Sequence, residues 1–562
     1  MIEFLSANLA PIMFGSLVLF LLSGFPVTFA LSACGLLFGF IGMELGLLPS
    51  ELFQALPLRV FGIMQNDILL AIPFFTLMGL ILERSGMAED LLDTAGQVFG
   101  PVRGGLAIAV IFVGALLAAT TGVVAASVIS MGLISLPIML RYGYSRPVAC
   151  GVITASGTLA QAIPPSLVLI VIADQLGRSV GDMYKGAFIP AFGLVAMYAL
   201  FVIGLAIFKP RMVPALPPEA MKYREPNGSS GLRSLAVFLG FIIFVSVVFG
   251  SSYDTLMSAM QGTEVSHSTE EIAVMALTFG TALALVLAGI NKLTGLGLLS
   301  RIAERFTFVL IPPLALIFLV LGTIFLGIAT PTEGGALGAV GAMIMALLRR
   351  RLNWERMREA LESTTRLSVF VLFILIGATV FSFTFTAIDG KEWVEHLFDK
   401  LPGGQIGFLI FVNAVIFFLG FFLDFFEIAF ILIPMLAPVA DKLGIDLIWF
   451  GVMIALNMQT SFLTPPFGFA LFYLRSVAPV GKFIDRVSGE RIDGIRTAQI
   501  YRGSIAFVII QLIMLALIMT FPEIVTGNLD AKVEVDLDTI QIQAPPSDGG
   551  WGAPAGGDNG GW

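Results

Sequence analysis

The stretch Gly157-Thr-Leu-Ala-Gln-Ala-Ile-Pro-Pro-Ser166 sets a proline pair in an apolar segment, and Asn457-Met-Gln-Thr-Ser-Phe-Leu-Thr-Pro-Pro-Phe-Gly468 sets a second one. Each segment is long enough to cross a bilayer, which takes roughly 20 residues. Because two adjacent prolines remove two backbone donors, each helix is expected to break in mid-membrane, where irregular backbone persists only inside protein or along a polar cavity. Two broken spans in corresponding halves are typical of a secondary transporter's binding site.

Composition also predicts a membrane protein. Of the 562 residues, 57% are apolar and 12% charged, with a mean hydropathy of +0.95, whereas soluble domains are about 25% charged. The two cysteines, Cys34 and Cys150, are too far apart in sequence to indicate a disulfide framework or a metal site. Both histidines, His267 and His396, fall in predicted loops. The N-terminus lacks a basic region and a cleavage signal, so we interpret it as the first membrane helix.

Apolar runs predict an all-α integral membrane protein with about 12 transmembrane helices and two re-entrant hairpins. The predicted spans are 9–23, 26–47, 67–84, 148–174, 186–208, 232–250, 272–290, 306–326, 331–348, 366–388, 448–474 and 503–522. The predicted hairpins are 105–140 and 405–440, which are interrupted at Ala119–Gly122 and Leu423–Glu427. Amphipathic segments at 88–102 and 352–364 are expected to lie along the cytoplasmic interface.

The distribution of basic residues orients the chain. With both hairpins re-entrant, one side of the membrane receives 24 of the 31 Lys and Arg residues. By the positive-inside rule this side is cytoplasmic, which places both termini in the periplasm.

Three pairs of corresponding features, separated by nearly the same number of residues, predict two repeats, and the two hairpins enter from opposite sides, which gives the repeats opposite topology. Pro26 and Pro331 both open a second span, Thr120 and Asp424 both mark a hairpin tip, and Pro164 corresponds to Pro465. Inverted repeats of this kind are typical of alternating-access carriers. The predicted divisions are a first repeat at 1–208, a linker with two extra helices at 209–300, a second repeat at 301–522 and an acidic, disordered periplasmic tail at 523–562.

Six segments spread over both repeats match one known family. They are Leu70-Ala-Ile-Pro-Phe-Phe-Thr-Leu-Met-Gly79, Ser127–Arg146, Ala155–Ser166, Gly327-Ile-Ala-Thr-Pro-Thr-Glu-Gly-Gly-Ala336, Gly420-Phe-Phe-Leu-Asp424 and Gly444–Gly468. In these segments the chain resembles the large membrane subunit (DctM-type permease) of tripartite ATP-independent periplasmic (TRAP) transporters. The helix pair at 232–290 and the acidic tail depart from the family's minimal form.

This resemblance implies a Na⁺-driven importer of small organic acids in the bacterial inner membrane, with an elevator-type fold. It also implies two protein partners, a small four-helix membrane subunit and a periplasmic substrate-binding protein, and no nucleic acid. A stand-alone sodium–carboxylate symporter of the same superfamily is the alternative, and a channel is the less favoured one. An intramembrane hydrolase is disfavoured because no histidine falls in a predicted span and the candidate serines have no base.

Hydroxyl groups and backbone carbonyls at broken helices can replace the hydration shell of Na⁺ without leaving an uncompensated charge in lipid. The candidate Na⁺ ligands of the first repeat are Thr120, Thr121, Gly122, Ser156, Gly157 and Thr158. Those of the second repeat are Asp424, Asn457, Thr460, Ser461 and Thr464. The alternatives are that the hydroxyls merely pack or cap helices, and that Asp424 caps the second arm of its hairpin.

Arginine is absent from the interior of the predicted spans, so hydroxyls and helix ends are expected to hold the substrate's carboxylate. The candidate substrate contacts are Ser127, Thr158, Pro164, Pro165, Ser166, Thr330, Thr332, Pro465 and Pro466. Glu333 is predicted to have a gating role or to cap the span that it opens.

Overall fold

We analysed a computed structural model of the chain. The structure describes residues 2–220, 223, 225, 229–262, 267–295, 297–399, 401–485, 489–527 and 529. Within these residues the regular structure is helical except for one antiparallel hairpin of β1 (Phe483–Ile484) and β2 (Arg491–Ile492). The predicted all-α class is therefore confirmed. The disordered tail was predicted to begin at 523, but Glu523–Thr526 form a short helix in which Val525 is buried. The prediction is wrong for these residues, and the tail beyond position 529 lies outside the described residues.

The first half of the chain contains long apolar helices and short connecting helices. The α-helices are α1 (Ile2–Ala7), α2 (Leu9–Leu22), α3 (Val27–Glu44), α4 (Leu56–Met64), α5 (Ala71–Arg84), α6 (Met87–Phe99), α7 (Gly105–Thr121), α8 (Val124–Arg141), α9 (Arg146–Thr158), α10 (Leu167–Leu176) and α11 (Val180–Phe208). Short 3₁₀ helices cover Leu52–Ala55, Asp67–Leu70, Leu159–Gln161, Pro210–Met212 and Pro218–Ala220.

The rest of the described chain continues in the same way. Its helices are α12 (Leu232–Ser251), α13 (Tyr253–Gln261), α14 (Thr269–Thr294), α15 (Arg301–Phe325), α16 (Pro331–Leu348), α17 (Trp354–Ala387), α18 (Gly390–Asp399), α19 (Gly404–Leu419), α20 (Phe425–Ile431), α21 (Ile433–Lys442), α22 (Leu447–Leu463), α23 (Phe469–Val477), α24 (Thr497–Thr520) and α25 (Glu523–Thr526).

Nine of the described helices are long and apolar enough to cross a membrane, and ten if one bent pair is a single span. The bent pair joins Leu52–Met64 to Asp67–Arg84 at 47°. The predicted number was about 12. Three predicted spans, the two with proline pairs and the one at 9–23, consist of shorter helices such as Leu167–Leu176, Leu447–Leu463 and Leu9–Leu21, whereas α8 adds one that was predicted as a hairpin arm. The helix α8 is itself long and apolar enough to span, so re-entrance of the first hairpin stays a prediction.

One interface segment was predicted wrongly. Residues 352–364 were expected to lie along the cytoplasmic interface ahead of a span at 366–388, but α17 runs without interruption from Trp354 through that span. Neither proline nor glycine occurs between Trp354 and Arg366, and the segment is rich in Glu and Arg, which are good helix formers. Nothing in this segment breaks a helix, so α17 begins well before its apolar part.

The helices form two neighbouring groups. In the first group α3 packs against α17, and α5 packs against α16 and α17. Glycines bring α3 and α17 close together, because a Cβ at Gly35 would lie 2.7 Å from the carbonyl oxygen of Val380 and one at Gly377 would lie 2.8 Å from that of Thr28. In the second group α9 packs against α7, α8 and α24, and α22 packs against α10, α19 and α24. Small residues at helix interfaces are the usual means of close packing in membranes.

The extra helices α12 and α14 lie at the edge of the first group. They pack against each other and against α15. The broken helices α9 and α22 therefore form their close contacts with other parts of the chain.

A cluster of charges ties α6 to the first group. Asp90 lies 3.1 Å from Arg351, 3.5 Å from Arg349 and 4.0 Å from Arg305. Burial lowers the pKa of Arg349 below its ordinary value, and the neighbouring arginines add to this effect while Asp90 opposes it. Asp90 therefore holds together three cations that would otherwise repel one another.

Candidate functional site

Both proline pairs lie where a helix ends, so the predicted breaks are confirmed. The helix α9 ends at Thr158, and after the 3₁₀ turn Leu159–Gln161 the chain reaches Pro164-Pro165 before α10 begins. The helix α22 ends at Leu463, and Pro465-Pro466 lie between it and α23. Both Pro–Pro peptide bonds are cis.

Each break lies beside an interrupted apolar stretch. In the first half α7 and α8 pack against each other around Gly122–Val123. Gly122 has φ +60°, and a Cβ there would lie 2.8 Å from Leu167 at the start of α10, so this turn contacts the helix that follows the break. In the second half α19 packs against α22, whereas α20 packs against α10 and α17.

Two glycines bring these stretches against the broken helices at equivalent positions. A Cβ at Gly114 in α7 would lie 2.5 Å from the Cβ of Ser156, and one at Gly420 after α19 would lie 2.7 Å from the Cβ of Ser461. Gly420 follows Gly114 by 306 positions and Ser461 follows Ser156 by 305. Both candidate serines therefore face a glycine backbone across the same kind of contact.

The candidate hydroxyls of α9 and α22 are buried, Thr464 just after α22 is half-buried, and all donate to carbonyl oxygens of the helix that carries or precedes them. Ser156 donates to the carbonyl oxygen of Ile153 at 3.1 Å, and Thr158 donates to that of Ala155 at 2.9 Å. The corresponding donors of the second half are Thr460 at 3.1 Å, Ser461 at 3.2 Å and Thr464 at 2.8 Å. A hydroxyl has one donor and two acceptor sites, so each of these oxygens keeps lone pairs for a cation.

Three buried side-chain amides near the breaks have an oxygen without a hydrogen-bond partner among the described residues. The side chain of Gln161 is fully buried, and neither its oxygen nor its nitrogen has a hydrogen-bond partner among the described residues. Gln459 donates to the hydroxyl of Thr158 at 3.3 Å across the two halves, and its own oxygen is unpaired within the same residues. The Asn413 side-chain oxygen is likewise unpaired there. Leaving such a group unsatisfied costs about 1–3 kcal/mol, so these oxygens fit a polar ligand.

Sequence reasoning missed these three amides, although a signal existed. Gln161 and Gln459 lie inside the two proline-containing stretches, and Asn413 is a polar residue in the otherwise apolar α19. Asn413 is connected to the predicted set, because the amide nitrogen of Asn457 donates to its carbonyl oxygen at 2.7 Å. A buried amide in an apolar span is costly without a partner, and this could have singled them out.

Asp424 lies at the turn after α19 and is the N-cap residue of α20. Its backbone N–H donates to the carboxylate of Glu427 at 2.9 Å in a capping box. The capping alternative thus has direct geometric support, and a ligand role for the same carboxylate stays a prediction.

The remaining predicted residues fall in three places. Ser166 donates to the carbonyl oxygen of Gln161 at 2.9 Å within the first break, and Ser127 is buried near the start of α8. Thr330 and Glu333 form a capping box at the start of α16, which supports the structural reading of Glu333. Thr332 donates to the carbonyl oxygen of Asp67 at 2.6 Å at the same end of α16. The side chains of Thr120 and Thr121 lie outside the described part of the chain.

Comparison with known proteins identifies the family. The family model described as the tripartite ATP-independent periplasmic transporter, DctM component, matches residues 14–267 and 272–524. The chain belongs to this DctM family. The resemblance inferred from the six segments is thereby confirmed, and the match includes most of the extra helices α12 and α14.

Curated relatives of this DctM-family chain are named as permeases. The C4-dicarboxylate TRAP transporter large permease protein DctM of Pseudomonas aeruginosa is 26% identical over 77% of this chain and 83% of its own length. That of Rhodobacter capsulatus is 27% identical over 84% of this chain and 91% of its own length. The sialic acid TRAP transporter large permease protein SiaM of Vibrio cholerae is 23% identical over 90% and 94%. The transporter class is therefore confirmed, and the hydrolase alternative is excluded.

Proposed function

We propose that this DctM-family permease imports a small organic acid across the bacterial inner membrane by Na⁺ symport. A periplasmic binding protein delivers the substrate, and a small four-helix membrane subunit supports the permease. Its relatives are named for C4-dicarboxylates, sialic acid and isethionate, which are all organic anions. This supports an acidic substrate for the present chain.

The observation that carries the proposal is the pair of matched contacts at Gly114–Ser156 and Gly420–Ser461, with unpaired buried amides between them. A cation site in low dielectric needs several oxygens without an excess of charge. Hydroxyl oxygens, free carbonyls at helix breaks and amide oxygens provide this. The duplicate arrangement supports one ion site in each half, and opposite topologies of the halves, with periplasmic termini, fit an elevator-type alternating access.

The test is uptake by proteoliposomes that contain the permease and the small subunit, with the binding protein added outside. With an inward Na⁺ gradient we expect accumulation of the acid, and with Na⁺ replaced by K⁺ on both sides we expect background uptake. A K⁺ diffusion potential of the same size serves as the control for membrane voltage. Undiminished uptake in K⁺ would refute Na⁺ coupling, and full activity without the binding protein would favour the stand-alone symporter.

Asp424→Asn is predicted to raise the Na⁺ concentration for half-maximal uptake by about tenfold, which corresponds to the loss of one charged ligand at roughly 1.4 kcal/mol. Glu427→Gln is the matched control, because it removes a charge from the same capping box and keeps an acceptor for the Asp424 N–H. Equal Na⁺ dependence in the two variants would mean that Asp424 only caps α20.

A further inference from the structure

A cleft opens between α17 on one side and α10, α20 and α21 on the other. Its volume is about 370 Å³, on the order of a dozen water molecules at ~30 Å³ each. Gln175 of α10, Phe430 of α20 and Pro434 of α21 form one wall. Gln175 lies near the end of α10, eight residues after the helix begins at Leu167 beyond the first break, or about 12 Å along the helix axis, so one short helix connects the cleft to the predicted transport site.

One face of α17 forms the opposite wall. The lining residues Leu375, Thr379, Ser382 and Thr386 recur at spacings of three and four, which is the spacing of one helix face. From Leu375 to Ala387 the wall extends about 18 Å at 1.5 Å per residue. Leu375 is buried and Thr386 is exposed, so the cleft leads from an open mouth to the middle of the apolar part of α17.

Two cations border the mouth of the cleft. Arg59 of α4 and Lys391 of α18 both line it and are both exposed. The guanidinium of Arg59 lies over the ring of Phe383, 5.9 Å from its centroid. Among the described residues no carboxylate lines the cleft or pairs with either cation. Two uncompensated positive charges beside apolar walls attract an anion.

The walls between these charges and the buried end are hydroxylated. Thr379 donates its proton to the carbonyl oxygen of Leu375 at 2.8 Å, so its oxygen is left to accept a hydrogen bond. The hydroxyl of Ser382 lies about one turn further along the same face, and that of Thr386 about two turns further. A ligand with an anionic end and several hydroxyl groups would match the two cations at the mouth and the hydroxyls along α17.

We propose that the cleft binds a hydroxylated carboxylate, with its carboxylate between Arg59 and Lys391 and its hydroxyl groups against Thr379, Ser382 and Thr386. This rests on the proposed import of organic acids and specifies the substrate class. In this arrangement Arg59 contacts the carboxylate, a role that the sequence assigned to hydroxyls and helix ends. The sequence did not suggest Arg59 as a ligand because it lies outside the predicted spans, on a short helix that the hydropathy pattern did not reveal.

The test is protection of Lys391 from trinitrobenzenesulfonate, an amine-reactive reagent, in the full-length permease held in phosphatidylcholine nanodiscs. Labelling of the peptide that contains Lys391 is followed by mass spectrometry. The ligands are gluconate, hexanoate and sorbitol, which carry a carboxylate with hydroxyls, a carboxylate alone and hydroxyls alone. We expect gluconate to protect at concentrations at least about tenfold lower than the other two, the effect of one charge-assisted hydrogen bond.

Arg59→Gln should weaken the protection by gluconate about tenfold. Arg178→Gln, a matched charge change at a residue paired with Asp441 outside the cleft, should leave it unchanged. Equal protection by all three compounds, or an equal loss in both variants, would overturn the proposal. Nanodiscs with phosphatidylglycerol test the other source of anions, and full protection by this lipid with no added effect of gluconate would assign the cleft to a headgroup.

This measurement needs neither a Na⁺ gradient nor the binding protein. Its failure is therefore distinct from a failure of Na⁺-coupled uptake: loss of Na⁺ dependence with gluconate protection intact would refute the symport proposal and leave the cleft assignment standing.

Discussion

Gly114→Ala and Gly420→Ala should each reduce Na⁺-dependent uptake to near background and destabilise the permease by about 1–3 kcal/mol, the usual effect of overpacking a close contact. The new Cβ would lie 2.5 Å from the Cβ of Ser156 in the first variant and 2.7 Å from that of Ser461 in the second. Because a Cβ cannot rotate away from its own backbone, the two helices themselves must separate. Thermal unfolding and proteoliposome uptake measure the two effects.

Gly204→Ala is the matched control for these variants. Gly204 lies inside α11, and a Cβ there would meet nothing within 4 Å. Alanine is favoured over glycine in a helix by about 1 kcal/mol, so this variant should be at least as stable as the parent and fully active. If all three variants behaved alike, close contact at the two breaks would have no part in transport.

Arg141→Met should destabilise the permease by about 3 kcal/mol or more, because it removes two hydrogen bonds between charged groups at a buried carboxylate, each worth about 1.5–3 kcal/mol. Arg141 at the end of α8 makes two hydrogen bonds of 2.8 Å to Asp485, and the Asp485 side chain is only 3% exposed. Arg141→Lys should have an intermediate effect, since an ammonium cannot reproduce the two parallel bonds. Chemical or thermal unfolding in a fixed detergent gives the comparison.

The control is Arg146→Met in the next helix. Arg146 lies 3.7 Å from Asp493, and the side chain of Asp493 is 62% exposed, so this pair should contribute no more than about 1 kcal/mol. Equal stability of the Arg141 and Arg146 variants would show that the link between α8 and the β1–β2 hairpin is dispensable.

Sequence reasoning predicted those features of the fold that depend on local chemistry. A proline pair in a hydroxyl-rich apolar stretch could be recognised from sequence, so both breaks could be placed. A proline pair alone does not decide this, because Pro312-Pro313 lies inside the continuous helix α15. Thr330-Pro331 followed by Glu333 is a helix-start pattern, and the capping box is formed there. The family resemblance followed from six short sequence segments, and the all-α class followed from the composition and the apolar runs.

Features that depend on what a residue meets across the fold could not be predicted. Gly114 and Gly420 look like any other glycine in an apolar helix until a serine of another helix lies opposite. Arg141 and Asp485 are 344 positions apart, and no spacing rule connects them. The start of α17 was misjudged because hydropathy reports the lipid boundary, whereas the helix itself begins twelve residues earlier, at Trp354.

The length of the continuous helix α17 bears on how deep the protein lies in its bilayer. Its 34 residues measure about 51 Å at 1.5 Å each, against a hydrocarbon thickness of roughly 30 Å. The uncharged part from Leu367 to Ala387 matches that thickness, and Arg366 stands at its edge. Sinking the helix would move Arg366 from that edge toward the centre of the bilayer, where the cost of an arginine rises to about 2.5–3.5 kcal/mol. We therefore expect α17 to adapt to thicker or thinner membranes by tilting, which keeps Arg366 at the interface.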